Sequence, residues 1–293
     1  MLAFQHNIRF PDEPELADSV DDDTLQSIVV SRGDTDDSTP WCKARSPWAE
    51  MSGCKVRYLT DRSFDEYPQG CRWGLEVERL GRFSWRNGSY GITYQPYQEF
   101  TAGRLQFWVL HTLLPMILAL QQRFQILHVA SVEIENQPVA FAAPSFGGKS
   151  TLTGYFIRRR HPFLSDDTLG IEWRDGEFHA VASYPFHRAF RAPESLGVPV
   201  ELVARKPQPL KAIYFLRRCE ADAEVKIAGV TGIRKFKSFH FSSFINFDFL
   251  KRPRFEFLSS MAASVPAYEI EIPWDLDRLG EVHDQIVRHS LTV

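Results

Sequence analysis

The stretch FAAPSFGGKSTL, Phe141–Leu152, decides how the rest of the chain is read. It passes from an apolar run through two glycines into Lys-Ser-Thr, and then into text of helical period. A phosphate-binding loop has this order because backbone N–H groups must curl around an anion at the positive end of a helix. Gly147 and Gly148 supply the backbone freedom for that approach. Lys149 has the reach for the terminal phosphates, and the Ser150 hydroxyl is placed to ligate Mg2+. Ala143 stands where the first glycine of G-x-x-x-x-G-K-[ST] falls, and Phe146 interrupts the glycines. Alanine fits there at negative φ, whereas Phe146 must point away from the phosphates, onto the base or a partner. The competing reading is a chance Gly-Gly-Lys-Ser turn before a helix.

The flanks favour the first reading. Upstream, ILHVASVEI and QPVAFAA are short apolar runs separated by ENQ, which predicts a hairpin feeding the loop. Downstream, Leu152, Tyr155, Phe156 and Ile157 give a helix that packs on a sheet, and the arginines that close it suit the helix dipole. PFLSDDTLGIEW then reads as strand, turn and strand, with Asp166 and Asp167 only 17 and 18 residues after Lys149. A phosphoryl-transfer site needs an acidic residue at the end of a second apolar strand to hold the metal. AIYFL is no candidate, because Arg217 and Arg218 follow it. The Asp pair supplies one carboxylate for the metal and one to accept a hydroxyl proton; otherwise it is an exposed turn. His128 lies on the strand pair before the loop, as a core histidine unless its strand ends beside the phosphates. Shortly after the core, SYPFHRAFRAP brings His187, Arg188 and Arg191, either in a solvated loop or as cations for the transferring phosphoryl group.

Together these elements resemble the catalytic core of the HPr kinase/phosphorylase family over residues 126–173, with matches at His128, Ser145, Gly148, Lys149, Ser150, Asp166 and Asp167. The family pattern is a His at the head of a strand, a hairpin, a G-x-S-G-x-G-K-[ST] loop, a helix and a strand ending in Asp-Asp. The resemblance implies an α/β, P-loop HPr-kinase-like fold, similar also to the nucleotide-binding part of phosphoenolpyruvate carboxykinases. It implies ATP and Mg2+ as cofactors. Ser145, Phe146, Gly147, Gly148, Lys149, Ser150 and Thr151 would form the nucleotide loop, with Arg188 and Arg191 assisting. Ser150 and Asp167 would hold the metal, Asp166 would act as base, and His128 and Lys149 would complete the catalytic set. The chain departs from the family at Ala143, Phe146 and Val129, and lacks the Gly/Arg/Asn-rich segment that serves HPr docking. The ending VPAYEIEIPWDLDRLGEVHDQIV looks like the short HPr-kinase-related proteins, among them kinases that phosphorylate a serine of lasso-peptide precursors. The expected activity is thus phosphorylation of a serine hydroxyl in a peptide or protein, by a chain that forms homo-oligomers if it follows the family. The alternatives are a small-molecule kinase of the carboxykinase-like group and a non-catalytic nucleotide-binding regulator.

The remaining text sets boundaries. A chain of 293 residues suits a medium domain plus a smaller one. Residues 1–100 form a β-rich region: 11–50 are acidic and loop-like, and CKVRYLT, WGLEVERL, GRFSWRN and SYGITYQPY read as short strands. Residues 101–293 form the catalytic domain. The formal net charge of −3 gives no case for nucleic acid or an anionic membrane as partner. Cys42, Cys54, Cys71 and Cys219 show no metal-site spacing and suit a reduced compartment. The N-terminus lacks a signal-peptide pattern, and the apolar run Phe107–Leu120 falls short of the ~20 residues of a membrane span; a cytoplasmic protein is expected. Eight phenylalanines between Phe236 and Phe257, interleaved with basic residues, read as core packing or as a peptide-docking surface.

Overall fold

The computed structural model describes residues 1–16, 21–33, 41–65, 70–189, 192–245 and 247–293. The chain forms two compact units. The first is Met1–Arg123 with Arg191–Leu196 and Phe247–Phe249; the second is Phe124–Phe190, Gly197–Asn246 and Leu250–Val293.

The first unit is built on a nine-stranded sheet: β1 (Leu2–Ala3), β2 (His6–Arg9), β3 (Gln26–Arg32), β4 (Ala44–Arg45), β5 (Ala49–Met51), β6 (Cys54–Thr60), β7 (Arg72–Val77), β8 (Gly81–Arg86) and β9 (Gly91–Pro96). The order is β1-β2-β3-β9-β8-β7-β6-β4, with β5 also paired to β6. Trp73, Leu75, Phe83, Trp85, Ile92 and Tyr94 are buried, the aromatic and β-branched burial that favours strands. The strands expected between 54 and 100 are therefore present.

The helix after them belongs to this unit too, so the division falls at Arg123/Phe124, not at 100/101. Its polar anchors explain why: Arg104 Nε donates to Glu194 Oε2 at 2.8 Å and Trp108 Nε1 to Glu194 Oε1 at 2.6 Å, while Asn87 Nδ2 donates to the Leu120 carbonyl at 3.4 Å. The helix comprises α1 (Ala102–Phe107), a π-turn (Trp108–Leu113) and α2 (Leu114–Leu120). Pro115 has no N–H to give the preceding turn, and the ladder widens there, with Leu114 N–H bonded to the Val109 carbonyl. At 19 residues it is longer than the apolar run suggests, and long and apolar enough to cross a membrane; 83% of its most apolar window is buried inside the protein.

The second unit has a six-stranded sheet in the order β13-β11-β12-β19-β21-β20 and a four-stranded sheet in the order β10-β14-β15-β18. The first contains β11 (Ala130–Ile134), β12 (Gln137–Ala142), β13 (Phe163–Ser165), β19 (Ala212–Cys219), β20 (Lys226–Gly229) and β21 (Ala267–Pro273). The second contains β10 (Gln125–Leu127), β14 (Leu169–Arg174), β15 (Glu177–Val181) and β18 (Gln208–Pro209), while β16 (Phe186–His187) pairs with β17 (Val198–Pro199). The helices are α3 (Lys149–Arg158), α4 (Gly232–Phe241), α5 (Lys251–Ser264) and α6 (Leu279–Ser290).

Strand alternation places the layers. On β12, Val139 and Phe141 join Leu152 and Phe156 of α3 and Val282 and Ile286 of α6 in one core. Ala140 and Ala142 face the opposite core, with Phe239 of α4, Leu258 and Met261 of α5, and Ile171 and Ala180 of the small sheet. The hairpin expected before the glycine loop is β11–β12, turning at Glu135 and Asn136, both at positive φ. The run ILHVASVEI is not one strand, however. It breaks at His128 and Val129, and β10 and β11 enter different sheets. This mixed α/β architecture agrees with the fold class expected from sequence.

Candidate active site

β12 and β19 are parallel, as are β19 and β21. β13 is antiparallel to β11 and β11 to β12, so β13 points the same way as β12. The carboxyl ends of β13, β12, β19 and β21 thus share one edge, which is where open α/β sheets bind ligands. The glycine loop, Asp166 and Asp167 all lie on it.

The loop runs from Ala143 to Gly148, and α3 begins at Lys149 with Gly148 as N-cap at φ 93° and ψ 1°. That left-handed turn directs the first amides of α3 outward and favours glycine. At Gly147 the constraint is space. A Cβ would lie 2.5 Å from Ala143 Cβ and 2.8 Å from the Pro144 carbonyl oxygen, both fixed atoms of the loop. Phe146 has φ 61° and is 80% exposed, so its ring points out of the loop, as the sequence required. Ser145 and Thr151 are exposed, and Gly147, Gly148 and Ser150 half-buried. Lys149 is 3% exposed, and its Nζ donates to the Ala143 carbonyl at 3.0 Å. It lies 3.4 Å from His128 Nε2, which accepts from the ammonium if the imidazole carries its proton on Nδ1. His128 is therefore beside the loop, half-buried, with its own N–H bonded to the Ser242 carbonyl at 2.6 Å.

Asp166 and Asp167 follow β13 and are 3% and 4% exposed, which rules out the solvated turn. Residues 187 and 188 fix them. Arg188 N–H donates to Asp166 Oδ2 at 2.8 Å, and Arg188 Nη1 donates to Asp167 Oδ2 at 3.0 Å. His187 Nε2 donates to the Ser150 carbonyl at 2.8 Å and stands 3.8 Å from Asp166 Oδ2. One imidazole therefore ties the Asp pair to the first turn of the helix that opens with Lys149. Gly154 makes room for it: a Cβ there would approach His187 Cε1 to 2.9 Å.

Burial raises the Asp166 carboxyl above its ordinary range; His187 opposes this, the Asp167 charge adds to it, and the Ser150 hydroxyl and the Arg188 N–H oppose it. Among the described residues its Oδ1 is buried without a close hydrogen-bond partner. Burial and the Asp167 charge also keep the nearby Tyr184 phenol protonated, far above its usual range.

The structure thus gathers Lys149, Ser150, His128, Asp166, Asp167 and Arg188 at one edge. Arg191 lies outside the described residues. Gly154 and Tyr184 carry no signal in the sequence, since neither belongs to a spaced motif. His187 stood only within a basic cluster.

No protein-family model matches the chain, and no curated protein matches it in sequence. Among solved structures it is similar to the HPr(Ser) kinase/phosphatase from Coxiella burnetii, with 11% identity and a TM-score of 0.37, over 57% of this chain and 97% of that one.

Proposed function

We propose that the chain is an ATP- and Mg2+-dependent kinase acting on a serine hydroxyl of a peptide or protein, in the cytoplasm. The observation that carries the reading is the placement of a buried Asp pair against the first turn of α3, with His187 bonded at 2.8 Å to Ser150 and 3.8 Å from Asp166. A loop that opens a helix with Gly-Gly-Lys-Ser offers amides and one ammonium to an anion. Asp166 Oδ1 is buried with no close hydrogen bond among the described residues, and the Ser150 hydroxyl acts on the same carboxyl, so the carboxylate faces the first turn of α3. These groups fit a metal–triphosphate complex.

In this reading the amides of Gly147 and Gly148 and the Lys149 ammonium bind the phosphates, assisted by Ser145 and Thr151, while the Phe146 ring stays outside the loop, where the base or a partner can meet it. Ser150 and Asp167 would hold Mg2+, which would supply charge neutralisation on the phosphates. Arg188 orients Asp167. A carboxyl raised by burial is a stronger base than one in water, and Asp166 takes the proton of the acceptor hydroxyl as its oxygen forms the bond to phosphorus. ADP leaves on the loop side. His128, 3.4 Å from Lys149, orients that ammonium. The acceptor we favour is a serine of a ribosomally made precursor peptide of lasso type, on the strength of the sequence resemblance.

The test is mass spectrometry of candidate precursor peptides after incubation with Mg-ATP. A gain of one phosphate on serine is expected, and its absence from the Asp166→Asn reaction. Phosphorylation of small hydroxylated metabolites instead would move the assignment to a small-molecule kinase. Failure to bind Mg-ATP at all would refute the reading.

A further inference from the structure

Beside the loop lies a cavity of 360 Å³ at the carboxyl end of β12, against Phe215 and Leu216 midway along β19, and capped by α4. Ala143 and Pro144 of the loop form one wall, Phe215 of β19 another, and Lys237, Ser238 and Phe241 of α4 the third. The Phe241 ring is 71% exposed. An aromatic side chain left this open at the end of a helix is a stacking surface, and Lys237 and Ser238 add donors beside it.

The strand order gives this cavity a direction. Asp166 and Asp167 follow β13, two strands to one side of β12, and β19 lies one strand to the other side. A transferable phosphate must sit on the Asp side of the loop, where the base and acceptor meet. Neighbouring strands are about 4.8 Å apart, so a nucleotide stretched from the Asp pair across the loop arrives over β19 and α4.

We propose that the cavity between the loop, β19 and α4 holds the purine base of the nucleotide, stacked on Phe241, with Lys237 and Ser238 donating to its ring nitrogens. This rests on the reading of the glycine loop as a phosphate site. It assigns α4, the start of the phenylalanine-rich segment, to the nucleotide and not to the acceptor peptide.

Calorimetry with two probes, Mg-ATP and Mg-tripolyphosphate, separates this proposal from the reading beneath it. The wild-type protein binds ATP more tightly than tripolyphosphate. Phe241→Ala weakens ATP by roughly tenfold or more, as loss of one base–aromatic stack does, and leaves tripolyphosphate unchanged. Phe241 is exposed, so a matching thermal melt shows that the fold persists; Lys237→Ala, also exposed, gives a second variant with the same split. If both variants bind ATP like the wild type, or if the wild type does not distinguish ATP from tripolyphosphate, the base site is overturned and the phosphate loop stands. A raised KM for acceptor peptide with unaltered ATP affinity makes the cavity an acceptor subsite and likewise overturns it. Binding of neither probe by the wild type refutes the loop reading itself.

Discussion

Replacing Asp166 by Asn should remove turnover and raise stability at neutral pH, and the two effects have one cause. The carboxyl is 3% exposed, one oxygen accepts from the Arg188 N–H at 2.8 Å, and the other is buried without a close partner among the described residues. An unsatisfied buried polar atom costs about 1–3 kcal/mol. The amide keeps an oxygen for Arg188 and turns an NH2 toward the Ser150 hydroxyl, with no charge left to desolvate. Part of the cost returns as donors the amide cannot fully satisfy, so the net gain is about 1 kcal/mol, which corresponds to a Tm rise of roughly 2–4 °C for a unit of this size. The pH dependence follows from the direction of the shift. The folded carboxyl titrates above its ordinary value of 3.8, so the folded state binds the proton more tightly than the unfolded one. The wild type is penalised above the folded pKa, and the penalty fades as pH falls toward 3.8. Thermal unfolding of both proteins at pH 7.5 and at successively lower pH reads this out: the variant melts higher at pH 7.5 and the gap narrows on acidification. A variant that melts lower at pH 7.5, or a gap indifferent to pH, refutes the account of a strained base. Phosphate transfer that falls by less than about 10²-fold refutes its catalytic role.

Lys149→Ala should abolish the thermal stabilisation by Mg-ATP, which at a ligand concentration of 100 Kd is worth about 2.7 kcal/mol in the wild type; a retained shift would remove Lys149 from the nucleotide site. Arg188→Ala leaves Asp167 buried without its 3.0 Å partner and should cost about 3–5 kcal/mol in denaturant unfolding, whereas a loss below about 1 kcal/mol would show that solvent reaches the pair. Gly154→Ala gains about 1 kcal/mol of helix propensity, but its Cβ displaces His187 from Ser150 and crowds a buried ring, at about 1–3 kcal/mol. Net destabilisation with reduced turnover is expected, and an intact, more stable variant would show that His187 is not held where it is described.

The legible parts of this protein are those whose physics is local. The hairpin, loop, helix and Asp pair occupy one continuous segment, and each announces itself through a turn dipeptide, a glycine pair or a period. The break at His128 was hidden because the apolar run continues through it while its two halves enter different sheets. The change of texture at residue 101 marks a change from strand to helix, and bonds to Glu194, far along the chain, tie the helix Ala102–Leu120 to the β-rich unit. β16 is two residues long, too short for any period, so the position of His187 depends on pairing with β17 that no local pattern encodes. Gly154 belongs to no spaced motif, and its purpose shows only in the imidazole that lies against it.

The strand order also bears on how the chain comes into being. β11, β12, α3 and β13 leave the ribosome consecutively, but Val139 of β12 takes its parallel partner from Ala212, and Ile213 takes its own from Ala267. A growing chain that has made the loop and both aspartates therefore carries β12 as an open strand edge, its apolar faces uncovered until β19, β21 and α6 are translated. Such an edge is a template for pairing with other chains. Slow synthesis or truncation between residues 190 and 265 should yield aggregates rather than inactive monomers, and the last strand of the sheet is where this unit commits to its folded state.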